Sequence, residues 1–108
     1  MPRRYDVRWT KTAEQDLEAI IDCIARASID AALRILTKLR DAAATLSSTP
    51  HRGPVVPDLS AHGILLYHEV IISPWRIICR ILKGQVYVLA MFDSRRNLED
   101  VLLERLTR

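Results

Sequence analysis

The sequence predicts an α+β fold in one domain: an N-terminal strand and an antiparallel helical hairpin packed on a small antiparallel sheet, with a helix at the C-terminus. Three observations predict it. From Ala13 to Leu46, apolar residues recur at helical spacing in two successive stretches. From Ile64 to Phe92 the pattern changes to three short apolar runs, divided by Ser73-Pro74 and Lys83-Gly84. The chain has 108 residues, 49% hydrophobic and 27% charged, which suits a packed core in a single domain over 1–108 and argues against disorder.

Tyr5, Val7 and Trp9 alternate with Asp6 and Arg8, the mark of a short strand with one buried face. Thr12 and Gln15 have capping-box spacing ahead of a helix whose inward stripe is Ala13, Leu17, Ile20, Ile21 and Ile24. Its acids cluster in the early turns, where the helix dipole favours them. Asp30 is the expected N-cap of a second helix, which turns Ala32, Ile35, Leu36, Leu39, Ala42, Ala43 and Leu46 inward. So short a connection makes the pair an antiparallel hairpin, and its apolar stripes require a further layer.

Residues 47–63 hold three prolines and two glycines, a long connection for so small a domain. It has no phosphate-cradle spacing. His51 and His62 lack partners at metal-ligand spacing, so no metal site is expected. Beyond the three strands, Asn97 is placed to cap a helix carrying Leu98, Val101, Leu102 and Leu106.

Two-residue turns at Ser73-Pro74 and Lys83-Gly84 fix the strand register. They set Tyr67, Glu69 and Ile71 opposite Arg80, Ile78 and Arg76, and those three in turn opposite Tyr87, Leu89 and Met91. Side chains alternate along a strand, so all nine are expected on one face, with Asp93 just past Met91. The opposite face collects Val70, Ile72, Trp75, Ile77, Cys79, Ile81, Val86, Val88, Ala90 and Phe92 as a core face beneath the hairpin, with His68 a satisfied core histidine. The first face, with arginines, phenols and one acid among aliphatic residues, reads as a surface for a protein partner. The alternative is that Glu69 only forms a cross-strand ion pair with Arg76 or Arg80. Arg95 and Arg96 leave the last strand beside this patch and extend it.

The net charge is only +3, but thirteen of the sixteen basic residues are Arg. Forked guanidinium contacts suit anionic partners, nucleic acid or an acidic protein segment; a GC-rich genome is the other explanation. Cys23 and Cys79 sit in apolar sequence and are expected as buried, reduced thiols. With no secretory leader and no apolar run of membrane-spanning length, a soluble cytoplasmic protein without membrane contact is expected.

Four segments resemble the RelE/ParE superfamily, toxins of bacterial type II toxin–antitoxin modules. They are Trp9 followed by Ala13, Asp16, Leu17 and Ile20; Pro50, Gly53, Val56, Pro57 and Leu59; Tyr67 and Glu69 with "PWRIICRI"; and "DSRRNLEDVLLERL". The resemblance implies a hairpin on a small sheet, no cofactor, a cognate antitoxin in a hetero-oligomeric complex, and operator DNA reached only through that antitoxin. It implies Tyr67, Ile71, Ile78, Leu89 and Met91 as antitoxin contacts. For the target or its phosphates it implies Arg76, Arg80, Tyr87, Asp93, Arg95 and Arg96.

Two mechanisms divide the superfamily. In a RelE-like ribosome-dependent mRNA endonuclease, Glu69 would be the base and Arg76 or Arg80 the phosphate clamp. Asp93 stands where such relatives carry a His acid, and a carboxylate is a poor proton donor at neutral pH. A ParE-like poison of DNA gyrase needs a binding surface and no catalytic set. The resemblance therefore favours ParE-like action, with Arg95, Arg96 and the final helix as binding elements. A nontoxic member that only binds its antitoxin and operator is the third possibility.

Overall fold

In a computed structural model, residues 4–106 are described, and the Leu106 side chain, expected on the inward stripe of the last helix, lies outside the described set. The order is β1 (Asp6–Trp9), α1 (Lys11–Ala25), α2 (Ile29–Ala44), a 3₁₀ turn (Thr45–Ser47), α3 (Pro57–Ser60), β2 (Tyr67–Ile72), β3 (Trp75–Leu82), β4 (Gln85–Asp93) and α4 (Leu98–Leu106). The sheet runs β1-β4-β3-β2. β2, β3 and β4 form an antiparallel meander, and β1 joins beside β4 in parallel. No helix among the described residues is long and apolar enough to cross a membrane.

The helix starts differ from those expected. Thr10, not Thr12, caps α1: its Oγ1 accepts from Ala13 N at 3.2 Å and donates to Val88 O at 3.0 Å. The strand-to-helix turn needs a cap that also reaches the sheet, and only Thr10 stands there. Ser28, not Asp30, caps α2 by accepting from Ala31 N at 3.1 Å. Asp30 falls in the first turn, where its charge complements the dipole. Asn97 caps α4 as its sequence suggests, its Oδ1 accepting from Asp100 N at 2.8 Å.

Both reversals are two-residue turns. Lys83 and Gly84 have φ of 48° and 77°, the pair of positive values a hairpin turn of the I′ kind requires. Between β2 and β3 the register is the expected one, Tyr67–Arg80, Glu69–Ile78 and Ile71–Arg76. Between β3 and β4 it holds only as far as Arg80–Tyr87 and Cys79–Val88. Ile78 then pairs with Ala90, so Leu89 is an extra residue on β4. This bulge reverses the parity of everything after it.

Four of the expected placements are therefore corrected. Met91 lies opposite Ile77 and is 2% exposed in the core beneath the hairpin. Ala90 and Phe92 take the other face, opposite Ile78 and Arg76. Asp93 pairs with Trp75 on the hairpin side and does not follow the Arg76 side chain. The bulge is held from a distance. Past Val88, the last β4 residue paired to β1, Thr10 Oγ1 donates to Leu89 O at 3.3 Å, and Asp16 Oδ2 accepts from Met91 N at 3.0 Å.

The hairpin core gathers Leu17, Leu39, Leu46, Ile77, Val86 and Val88, all nearly inaccessible. A second core lies on the opposite sheet face, where Ile78, Ala90 and Phe92 pack against Val56, Leu98 and Val101. The face expected to be bare is thus half covered, by α3 and α4. Cys79 is buried, and burial pushes its thiol up to about 11, whereas Cys23 is exposed, contrary to expectation. His68 Nδ1 lies 3.0 Å from Gly53 O, so that ring is satisfied.

The long connection is pinned to the edge of β2. Val56 N donates to Tyr67 O and Glu69 N to Pro54 O, each at 2.9 Å. A Cβ at position 53 would stand 1.8 Å from Glu69 O, so only glycine lets the two backbones approach this closely.

Candidate functional site

The bulge divides the α3/α4 face of the sheet into a closed half and an open half. The closed half holds an ion cluster. Arg76 Nε donates to Glu69 Oε2 at 2.8 Å, and Nη2 donates to Asp58 Oδ1 at 2.8 Å. Arg76 is 7% exposed and Glu69 4%. The other oxygen of Asp58 accepts from Leu98 N at 3.0 Å, the first N–H of α4. One carboxylate therefore joins α3, the sheet and the start of α4. Its charge sits where the α4 dipole is positive, and the Arg76 hydrogen bond holds its carboxyl below the usual range. The Arg76 guanidinium also lies 5.2 Å from the centre of the Phe92 ring.

Glu69 and Arg76 share a face, as expected, but that face is sealed around them. The reason is α4, whose Leu98 and Val101 close over Ile78 and Phe92. As arranged, this pair offers neither a free carboxylate nor a free guanidinium.

The open half is a row across all four strands: Arg8 beside Tyr87, Tyr87 beside Arg80, Arg80 beside Tyr67. Cations and phenols alternate along it. The Arg80 guanidinium lies 5.9 Å from the Tyr67 ring centre. Its Nε is buried without a hydrogen-bond partner, and no carboxylate pairs with Arg80 or Arg8 among the described residues. The Tyr87 hydroxyl is hydrogen-bonded to Gln85 Oε1. Ile71, expected as an antitoxin contact, stands 57% exposed beyond the closed half.

The two arginines leaving β4 are matched by acids close by. Arg95 donates to Asp93 through its backbone N, Nε and Nη2 at 2.7–3.0 Å, and these bonds pull the Asp93 carboxyl down to about 2. Arg96 pairs with Glu104 on α4. Both remain at the surface, but locally neutralised, so they do not lengthen a free basic patch. Arg105 Nη2 reaches both Asp16 oxygens at 2.6–2.7 Å and ties α4 to α1.

The row joins Arg80, Tyr87 and Tyr67 from the expected set, excludes Met91, and leaves Arg76, Glu69 and Asp93 engaged elsewhere. Sequence reasoning missed Arg8 and Asp58. Arg8 was visible as the solvent side of an alternating strand, but its neighbour depends on a parallel pairing 79 positions away in sequence. Asp58 carries no local signal, because its partners come from β3 and α4. Among the described residues no group of His, Cys, Asp or Glu could hold a metal ion.

Residues 7–98 match the family model described as ParE toxin of type II toxin-antitoxin system, parDE. Among solved structures, the chain is similar to a chain of the chromosomal ParDE system from P. aeruginosa, at 17% identity and a TM-score of 0.69, covering 84% of this chain and 97% of that one. It is also similar to a chain of the RelBE2 toxin–antitoxin complex from Mycobacterium tuberculosis, at 24% identity and a TM-score of 0.60, covering 83% and 91%. At such identities these likenesses establish the shared fold. No curated protein matches the sequence significantly. A family match over most of the length, on a fold common to both complexes, means that this chain belongs to the ParE toxin family of type II toxin–antitoxin systems.

Proposed function

We propose that this chain is the growth-inhibiting toxin of its module and that it acts by binding and poisoning DNA gyrase, not by cutting RNA. The observation that carries this is the fate of the groups acid–base chemistry would need. Cleavage through a 2′-hydroxyl requires a base, a phosphate clamp and a proton donor. Glu69 is buried and bound to Arg76, so the base and one clamp neutralise each other. Asp93 is ionised down to about pH 2 and has no proton to give at neutral pH. A gyrase poison needs neither group, only a surface.

In this reading Arg80 and Tyr87 of the open row, together with Arg95, Arg96 and α4, contact the target. Tyr67, Ile71 and Leu89 face the antitoxin, while Ile78, also expected there, is buried in the second core, and operator DNA is reached through that partner. Met91 serves as core. Overexpression without antitoxin should arrest growth, and the purified chain should inhibit supercoiling by gyrase. Full supercoiling activity at a large excess of chain would end the gyrase reading. Codon-positioned mRNA cleavage on translating ribosomes would replace it with the endonuclease.

A further inference from the structure

The solvent side of the helical hairpin carries a shallow groove of about 240 Å³ between α1 and α2. Leu17, Ile21 and Leu36 floor it. Glu14, Glu18 and Asp22 stand along its α1 wall at every fourth residue, so three carboxylates line up over about 12 Å of helix. None of the three has an ion-pair partner among the described residues. On the α2 wall, Leu33 and Ile29 continue the line of Leu36 at helical spacing and remain 56% and 68% exposed. Arg40 closes one end, its guanidinium 5.7 Å from the centre of the Trp9 ring.

The chain as a whole carries +3, so this line of unpaired acids runs against its charge. A third helix laid in the groove would bury Ile29 and Leu33 and meet the carboxylates along its other side. Phosphate polymers and anionic headgroups are repelled by the acids. A small molecule finds too little space, since such sites begin at about 300 Å³. A second copy of this chain fits poorly, because α2 sets exposed Asp30 and Asp41 among its bases and α4 presents Glu99 and Asp100. We propose that the hairpin groove seats a basic amphipathic helix of a partner protein. Its Lys or Arg residues run along the α1 wall, and its aliphatic side chains cover Ile29 and Leu33. The hairpin and the open row lie on opposite faces of the sheet, so this partner and one held at the row can bind together. The proposal goes beyond the gyrase reading and does not depend on it.

The test uses the full chain and, as probe, a synthetic helical peptide of about 18 residues, with lysines at every fourth position and leucines beside them. Fluorescence anisotropy follows its binding at low and high salt, and thermal melts establish that each variant is folded. Glu18→Gln with Asp22→Asn should weaken binding about tenfold or more and flatten the salt dependence. Leu33→Ser should weaken it about tenfold with the salt dependence kept. Removing two acids elsewhere, Glu99→Gln with Asp100→Asn, should change it by no more than about twofold. A peptide with glutamate in place of every lysine should not bind. In cells, a photo-cross-linking residue in place of Leu33 should capture a protein whose cross-linked segment is a basic amphipathic helix.

No binding of the basic peptide, equal binding of the acidic one, or groove variants that bind like the native chain would overturn the proposal. So would cross-linking only to a second copy of the chain or to an acidic segment. If the groove variants lose the peptide while the native chain leaves gyrase untouched, the groove stands and the gyrase reading fails. If gyrase is poisoned yet the groove variants bind the peptide normally, the groove assignment fails and the gyrase reading stands.

Discussion

Replacing Arg76 by Ala tests whether the Asp58–Arg76–Glu69 cluster is structural or chemical. The guanidinium is the single cation between two carboxylates, with side-chain exposures of 8% for Arg76, 6% for Glu69 and 19% for Asp58. Removing one partner of a buried pair leaves its counter-charge uncompensated, at a cost of about 3–5 kcal/mol. Asp58 is partly reached by solvent and keeps its bond to Leu98 N, so a loss of about 3 kcal/mol is expected. In a domain of this size that lowers the melting temperature on the order of 15 °C.

The loss should depend on pH. In the native chain the Asp58 carboxyl is depressed, chiefly by Arg76, so its contribution is present above the ordinary carboxylate range and lost as pH falls through the depressed value. In the variant that contribution is absent, because the Arg76 hydrogen bond that holds the Asp58 carboxyl down is gone. The gap between native and variant should therefore narrow as the pH falls from neutral toward about 4. Urea unfolding followed by circular dichroism at several pH values measures it. A variant as stable as the native chain at neutral pH, yet without activity, would refute the structural assignment and return Arg76 to the chemistry.

Three further outcomes follow from the geometry. Gly53→Ala should destabilise the chain by about 1–3 kcal/mol in denaturant titration, because the added methyl would stand 1.8 Å from Glu69 O and the loop must leave the β2 edge. A thiol reagent at pH 8 should label exposed Cys23 promptly and Cys79 only on unfolding, since burial places the Cys79 thiol at about 11. The Asp93 carboxyl should titrate by NMR at about 2 in the native chain and move up toward the ordinary Asp range in Arg95→Ala, because the Arg95 hydrogen bonds are the main cause of its depression. As its folded value is the lower one, whatever it contributes is present at neutral pH and lost as pH falls through about 2.

Much of this fold could be read from the sequence because its determinants are local. Helical stripes announced α1 and α2, Asn97 announced α4, and two tight turns fixed Tyr67, Glu69 and Ile71 opposite their partners. The reading failed where a distant side chain decides. Val88 to Phe92 is an unbroken apolar run, so no alternation marks the extra residue at Leu89. The bulge is specified by Thr10 and Asp16, more than seventy positions earlier. That one residue sends Met91 inward and Phe92 outward. It also brings Ala90 and Phe92 beside Ile78 in a second core, on the face that Glu69 and Arg76, diagonal neighbours on adjacent strands, already share. The seat of α4 was equally hidden, since Asp58 bonds Leu98 across 40 positions. The alternating cations and phenols survive because they lie on the turn side of the bulge, where local register still holds.

The most direct test is to incubate gyrase and supercoiled plasmid with the purified chain, then denature with detergent and protease and look for linear DNA. Linear product should accumulate with the native chain and fall away with Arg80→Ala, while the folded fraction of Glu69→Gln should still produce it. Plasmid recovered uncut and fully supercoiled at every concentration of the native chain would contradict the gyrase reading.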